Sequence, residues 1–269
     1  WYMQDPRSPK QIADSTRKRI LETAFRANKG HLGSALSICE LITATALSAR
    51  KFGTDHPARD RVVLSKGHAS LALYCILVEL GHIAESDLAS YCKDGSLLQT
   101  HPDRELKSVE FSTGSLGQGI GFATGLALAS KIRTEKYRTF VILSDSELNE
   151  GSTWESIAMA GTQCLASLTV LLDLNGQQAL GYTNDVLRVG NPSKMFFELG
   201  WNVVKAPGHD AGQLTSAIQQ TESSTKPSVI IAQTTAGRGV SFMERRIEWH
   251  YLPMTSEQFQ TAMSEQSGQ

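Results

Sequence analysis

Two apolar runs limit this chain more than any other feature. "FVILSD" (Phe140 to Asp145) and "LTVLLDLN" (Leu168 to Asn175) each end on a short polar side chain, with an amphipathic stretch, Thr153 to Gln163, between them. Short apolar runs bounded by turn signals read as strands buried on both faces, and a helix joining two of them reads as a βαβ crossover. The pattern continues. "RVVLS" (61–65), "WNVVKA" (201–206) and "PSVIIAQT" (227–234) read as strands, with helices around 70–80, over 117–132, after Pro192 and from Ala211. The expected fold is α/β, a central parallel β-sheet with helices on both faces. Two helices precede the first strand, one over Gln11 to Asn28 and one running on from Ser34 past Leu47. The chain reads as a single domain over 1–269, with an N-terminal extension at 1–10 and a polar tail at 254–269 that is either helical or frayed.

Charge excludes some partners. With 26 Lys and Arg against 27 Asp and Glu, the net charge of -1 gives no electrostatic case for nucleic acid or an anionic membrane. The most apolar window, "SLALYCILVELGHIA", is shorter than a membrane span and contains Glu79 and His82. Cys39, Cys75, Cys92 and Cys164 lie far apart without a CxxC pair, which reads as reduced thiols in a cytoplasmic protein.

In open parallel sheets ligands collect beyond the carboxyl ends of the strands, where helix N-termini supply free N–H groups. Asp145 and Asn175 lie at two such ends. A carboxylate and a carboxamide are hard oxygen donors suited to Mg²⁺, which keeps part of its shell for phosphate oxygens. Each residue taken alone fits a cap or a turn equally well. Their offset by one βαβ unit, with Gly176 after the Asn, points to a metal-bridged diphosphate.

That pair resembles the thiamin diphosphate motif, an Asp followed one βαβ unit later by an Asn. More narrowly, "SDSELNEGSTWESIAMAG" and "DLNGQQALG" are similar to the transketolase family, especially its form divided between two polypeptides. Ordered motifs carry the resemblance along nearly the whole chain: "KGHLGSALS" from Lys29, "SKGHAS", "THPD", "TGSLGQGIG", "PGHD" and "GRGVSFMERRIEWH" ending at His250.

The resemblance implies a thiamin diphosphate-binding fold and a metal ion, Mg²⁺ with Ca²⁺ as a substitute, on Asp145, Asn175 and the backbone carbonyl of Gln177. It implies Gly114, Leu116 and Gly117 beside the cofactor rings, with Ser146, Glu147 and Glu150 also in the cofactor-binding set. His68 and His250 would reach the diphosphate or the reacting end. His31 and His101 would hydrogen-bond substrate hydroxyls and move protons, so that His31, His101 and His250 form the catalytic group. Glu150 matches a glutamate at a subunit interface that links active sites, while an exposed first-turn Glu favouring the helix dipole is an equal alternative.

The implied activity is transfer of a two-carbon ketol (glycolaldehyde) unit from a ketose, or its phosphate, to an aldose in carbohydrate metabolism. The glutamate that activates the cofactor belongs to a pyrimidine-binding domain outside this chain, so a second polypeptide with that domain and a C-terminal domain is the expected partner, in a heterotetramer. Two other readings stay open: a related thiamin enzyme that delivers its two-carbon unit to a carrier or biosynthetic acceptor, and a non-catalytic subunit that keeps the fold.

A nicotinamide site is disfavoured, because the glycines of "TGSLGQGIGFATG" do not make GxGxxG and no acidic strand end follows at the right distance. His56, His82 and His209 read as structural, since a single His is more often surface or hydrogen-bonded core. Two departures from the family pattern stand out. Ser144 and Ser146 flank Asp145 where the family usually has glycines, although its divided form also takes Ser in the first position, and Tyr251 follows His250 where a Gly is usual.

Overall fold

Ser8 starts the first helix: its hydroxyl accepts from the Gln11 amide at 3.3 Å and its own amide donates to the Gln11 side chain at 2.7 Å. This reciprocal cap, with Pro9 in the first turn, fixes the start of α1 (Pro9–Ala27). The computed structural model describes residues 6–267. Of the expected extension at 1–10, residues 1–5 lie outside the described residues, and Pro9 and Lys10 already belong to α1.

Along the chain follow α2 (Leu32–Ser37), α3 (Cys39–Ser48), β1 (Arg61–Leu64), α4 (Ser70–Glu79), the one-turn α5 (Glu85–Leu88), α6 (Gln118–Arg133), β2 (Thr139–Ser144), α7 (Gly151–Thr162) and β3 (Leu168–Leu174). A two-residue hairpin, β4 (Gln177–Gln178) and β5 (Gly181–Tyr182), leads to α8 (Thr183–Val186) and α9 (Pro192–Glu198). The chain then forms β6 (Asn202–Pro207), α10 (Ala211–Gln220), β7 (Ser228–Gln233) and α11 (Ser256–Ser267).

Five strands pair in parallel in the order β1-β2-β3-β7-β6. Their side chains alternate between two separate cores. Phe140 and Ile142 of β2 face one core with α1 to α4 and α10, while Val141 and Leu143 face the other with α6, α7, Phe196 and Trp201. Each such side chain, fully withdrawn from water, contributes about 1.5–3 kcal/mol. The fold class is the expected one, with helices on both faces.

One local expectation is corrected, and two points left open are filled in. The single helix expected from Ser34 is broken at Ile38 (φ -109°, ψ 11°) into α2 and α3, and the break leaves the Ser37 hydroxyl donating to Asp173 across the core at 2.7 Å. The hairpin after Asn175 was not expected, because strands of two residues carry no period. The polar tail is helical from Ser256, with Phe259 stacked on Phe25 at 4.2 Å and the buried Gln266 amide donating to the Gly239 carbonyl.

Candidate active site

The β2–β3 register places the site. Ser144 lies opposite Asp173, so the two strands run out at the same level and release Asp145 and Asn175 side by side. Gly176, at φ 78°, turns the chain so that its amide donates to Asp145 Oδ2 at 2.6 Å. Asp145 Oδ1 is buried with no hydrogen-bond partner. Burial first, and then the negative charge of Asp173, push the Asp145 carboxyl up to about 7. A buried carboxylate oxygen without a donor is what a bound cation would satisfy.

Asn175 is set from both sides. Its Nδ2 donates to Asp173 Oδ2 at 3.0 Å and to Ser37 Oγ at 3.2 Å, and its Oδ1 accepts from the Gln177 amide at 2.9 Å. The metal set expected on Asp145, Asn175 and Gln177 therefore fits: one orphaned carboxylate oxygen, one oriented carboxamide oxygen and the backbone of the residue just beyond. It contains a single carboxylate, and among the described residues no group of three or more His, Cys, Asp or Glu forms a metal cluster of its own.

Asp173 and Lys66 were not anticipated. Both are almost completely buried and form an ion pair at the strand ends, and Asp173 also accepts from Ser37 and Thr234. The signal was available: an Asp inside "LTVLLDLN" and a Lys after "VVLS" are charges in apolar company, and buried charges are kept only when paired.

Glu147 is a clamp. The notion that it touches a ligand gives way to its geometry: it is fully buried and both its oxygens are taken by protein donors. Oε1 accepts from Ser65 Oγ at 2.5 Å and the Gly117 amide at 3.0 Å; Oε2 accepts from the Ser144 amide at 2.9 Å and the Ser144 hydroxyl at 3.2 Å. Ser146 in turn donates its hydroxyl to Ser144 Oγ at 2.8 Å, while Ser144 gives its own proton to Glu147.

The clamp holds "TGSLGQG" against the sheet. Gly117 (φ 80°) has no room for a Cβ, which would lie 2.6 Å from Ser152 Oγ and 2.8 Å from Glu150 Cβ. Leu116 beside it is half-buried, and Gly114 is exposed next to the His101 ring. Glu150, half-buried, precedes α7.

Four histidines from four distant segments converge. His31 sits in a left-handed turn before α2, His68 in the turn Gly67–Ala69 after β1, His101 in a loop and His250 at the end of the turn Ile247–His250. Ring centroids lie 5.9 Å (His31–His68), 6.0 Å (His31–His101), 5.4 Å (His31–His250) and 5.1 Å (His68–His250) apart. Burial lowers all four, helped at His250 by the charges of His31 and Lys66, which bring it to about 4. Neutral imidazoles at pH 7 can each donate from one nitrogen and accept at the other. His250 also lines a cavity with Ser34, Asn175, Gln177 and Arg246, which joins the histidine cluster to the metal set.

Of the histidines read as structural, His56 accepts from the Ala58 amide in an exposed turn and His82 packs against Phe52. His209 pairs with Glu40 and accepts from the Thr235 amide at 2.8 Å, pinning the start of the long irregular run from β7 to His250.

A family model described as "Transketolase, thiamine diphosphate binding domain" matches residues 8–268. The chain is 34% identical over 260 residues to one of the subunits of the apulose-4-phosphate transketolase of Phocaeicola vulgatus, covering 95% of this chain and 92% of that protein. It is also 34% identical over 258 residues to a 6-deoxy-6-sulfo-D-fructose transketolase subunit of a Clostridium species, with 94% of each covered. Among solved structures, transketolase from Campylobacter jejuni superposes with a TM-score of 0.90 at 27% identity, over 96% of this chain and 42% of that one. The chain thus spans less than half the length of that solved transketolase. Matched over nearly all of its length, it belongs to the transketolase family as a thiamine diphosphate-binding domain.

Proposed function

We propose that this chain is the diphosphate-binding subunit of a thiamin diphosphate- and Mg²⁺-dependent transketolase, which moves a two-carbon ketol unit from a ketose or its phosphate to an aldose. The observation that carries the reading is the orphaned, buried Asp145 Oδ1 at the end of β2, on the strand paired with the one that delivers Asn175 to a cavity shared with His250. Asp145, Asn175 and the Gln177 carbonyl would hold Mg²⁺, with Ca²⁺ able to substitute at the same hard oxygens. His68 and His250 would donate to the diphosphate or the reacting end, and the backbone around Gly114, Leu116 and Gly117 would flank the rings. Ser146 and Glu147 act one step back, by shaping that turn.

When bound, thiamin diphosphate would supply the nucleophilic carbon and the electron sink for cleaving the bond beside a ketose carbonyl. The chain's own share is orientation and proton transfer. His31 and His101 would take or return a proton at substrate hydroxyl oxygens, and His250 would hold the substrate against them. Burial keeps these imidazoles in the neutral form that a base requires.

A second polypeptide carrying the pyrimidine-binding and C-terminal domains would complete the site, in a heterotetramer. Support comes from relatives of this span that are themselves named subunits. Glu150, beside Gly117, would meet that partner. The sugars named for those relatives differ, so the reading stops at ketose donor and aldose acceptor. Four unpaired cysteines suit a reduced, cytoplasmic setting, and among the described residues no helix is long and apolar enough to cross a membrane.

Calorimetric titration of thiamin diphosphate with and without Mg²⁺, on the chain alone and with its partner, tests the reading. Mg²⁺-dependent binding and ketol transfer only in the reconstituted pair are expected. Mg²⁺-independent binding would remove the roles of Asp145 and Asn175, and steady transfer by the single chain would remove the need for a partner.

A further inference from the structure

The Asn175 carboxamide has two chemically different ends, and only its oxygen can hold a cation. What decides the end that faces the metal is the pair of groups behind it. Asp173, ion-paired with Lys66, offers Asn175 only oxygen lone pairs. Ser37 has one hydroxyl proton, which it gives to Asp173 Oδ1 at 2.7 Å, leaving only lone pairs toward Asn175 at 3.2 Å. Both neighbours therefore demand a donor. Thr234 donates to the same Asp173 Oδ1 from the end of β7, and Lys66 reaches Oδ2 from the end of β1, so the demand is built into the sheet.

We propose that Asp173, together with Ser37, is a positioning residue for the cation site: it locks the Asn175 amide so that Oδ1, and never Nδ2, turns toward the metal. The inference rests on the metal reading given above. A flipped amide would set its oxygen against two acceptors at 3.0 and 3.2 Å and turn an NH₂ group toward the Gln177 amide, losing every hydrogen bond at once. Outer groups that orient a ligand in this way typically cost about 10–100-fold in metal affinity when removed.

The lock makes an unusual demand on substitution. Asn175→Asp supplies a second carboxylate, which by ligand chemistry alone should bind Mg²⁺ at least as well. Against Asp173 it places like charge on like charge, with no donor left between them.

The test is Mg²⁺-dependent thiamin diphosphate binding by calorimetry on the full chain, alone and with its partner subunit, with thermal unfolding as the folding control. Asn175→Asp should weaken binding about 10–100-fold. Wild-type affinity in Asn175→Asp overturns the proposal, as does a loss in Ser37→Ala that is the same with and without Mg²⁺. Ser37→Ala adds no charge and serves as the second variant. It should lose affinity several-fold, and unchanged affinity counts against the lock. Failure of the wild-type chain to bind the cofactor with Mg²⁺ would instead overturn the functional reading, so the two failures are distinct.

Discussion

The amide of His31 donates to the carbonyl of His250 at 3.2 Å, while their rings meet edge to face with centroids 5.4 Å apart. One backbone bond thus ties the turn before α2 to the end of the irregular run after β7, and fixes the spacing of the two imidazoles it carries. His31 holds a left-handed conformation (φ 62°) to make it. Strain of this kind persists where the surroundings over-determine it.

The histidine pair predicts a split between binding and turnover. In the reconstituted enzyme, His31→Ala should lower kcat by about 10²–10⁴-fold, the range for loss of a proton-transferring group, and leave cofactor affinity near wild type. Steady-state kinetics alongside calorimetry separates the two. Equal losses in both would place His31 on the cofactor instead of the substrate.

Acid should unfold the chain in two windows. His31, His68, His101 and His250 all have lowered values when folded, so between pH 6.5 and about 4 the unfolded chain binds protons that they refuse in the fold, and their contribution to stability falls as pH falls, against the opposite slope of Asp145, whose raised value favours the fold as it protonates below about 7. Glu40 acts lower. Burial alone would raise it, but the His209 hydrogen bond and the Arg17 charge outweigh that and hold it at about 2. Its contribution is present above pH 4.5 and is lost as pH drops toward 2. Thermal midpoints across roughly pH 2–7 should show both slopes, with His250→Gln flattening the upper one and Glu40→Gln the lower.

Glu147→Gln should be costly for its size. Gly117 and Ser144 each present a backbone N–H, one to each oxygen of Glu147. Whichever way a Gln amide turns, its NH₂ meets one of them. A buried donor left facing a donor costs about 1–3 kcal/mol, measurable by urea unfolding. A loss below about 0.5 kcal/mol, the scatter of ordinary surface changes, would show that the clamp is slack.

Tyr251 should narrow the acceptor side. It is exposed, its ring stands 4.8 Å from His250 and 6.5 Å from His31, and its backbone closes on Gly30, where a Cβ would lie 2.2 Å from the Tyr251 carbonyl oxygen. Tyr251→Gly in the reconstituted enzyme should therefore accept a wider set of aldoses. An unchanged acceptor profile would count against a gating role.

The layered α/β core was legible because burial on both faces leaves continuous apolar runs, and Phe140 to Leu143 could hardly be anything but strand. Asp145 and Asn175 were legible because each ends such a run. Asp173 and Lys66 were passed over for the opposite reason: their importance lies in pairing across the sheet, and register is not written in either segment alone. Glu147 went astray because its neighbours in sequence face the site, while its own partners, Ser65 and Gly117, come from other parts of the chain. The break at Ile38 was hidden because both halves keep helical apolar spacing, and it shows only in the backbone at Ile38 and the contact between Ser37 and Asp173.

The buried pair of Lys66 and Asp173 has an effect on what can approach. Within the pair the two charges cancel, so when Asp145 is ionised it remains as surplus negative charge on the floor of the site, with neutral histidines around it. A bare diphosphate would meet repulsion there from a carboxylate that water screens poorly, with Arg246 on the cavity wall to offset part of it. The divalent cation proposed for the site would reverse the sign of that floor, which makes entry together with the anion, or ahead of it, the expected order.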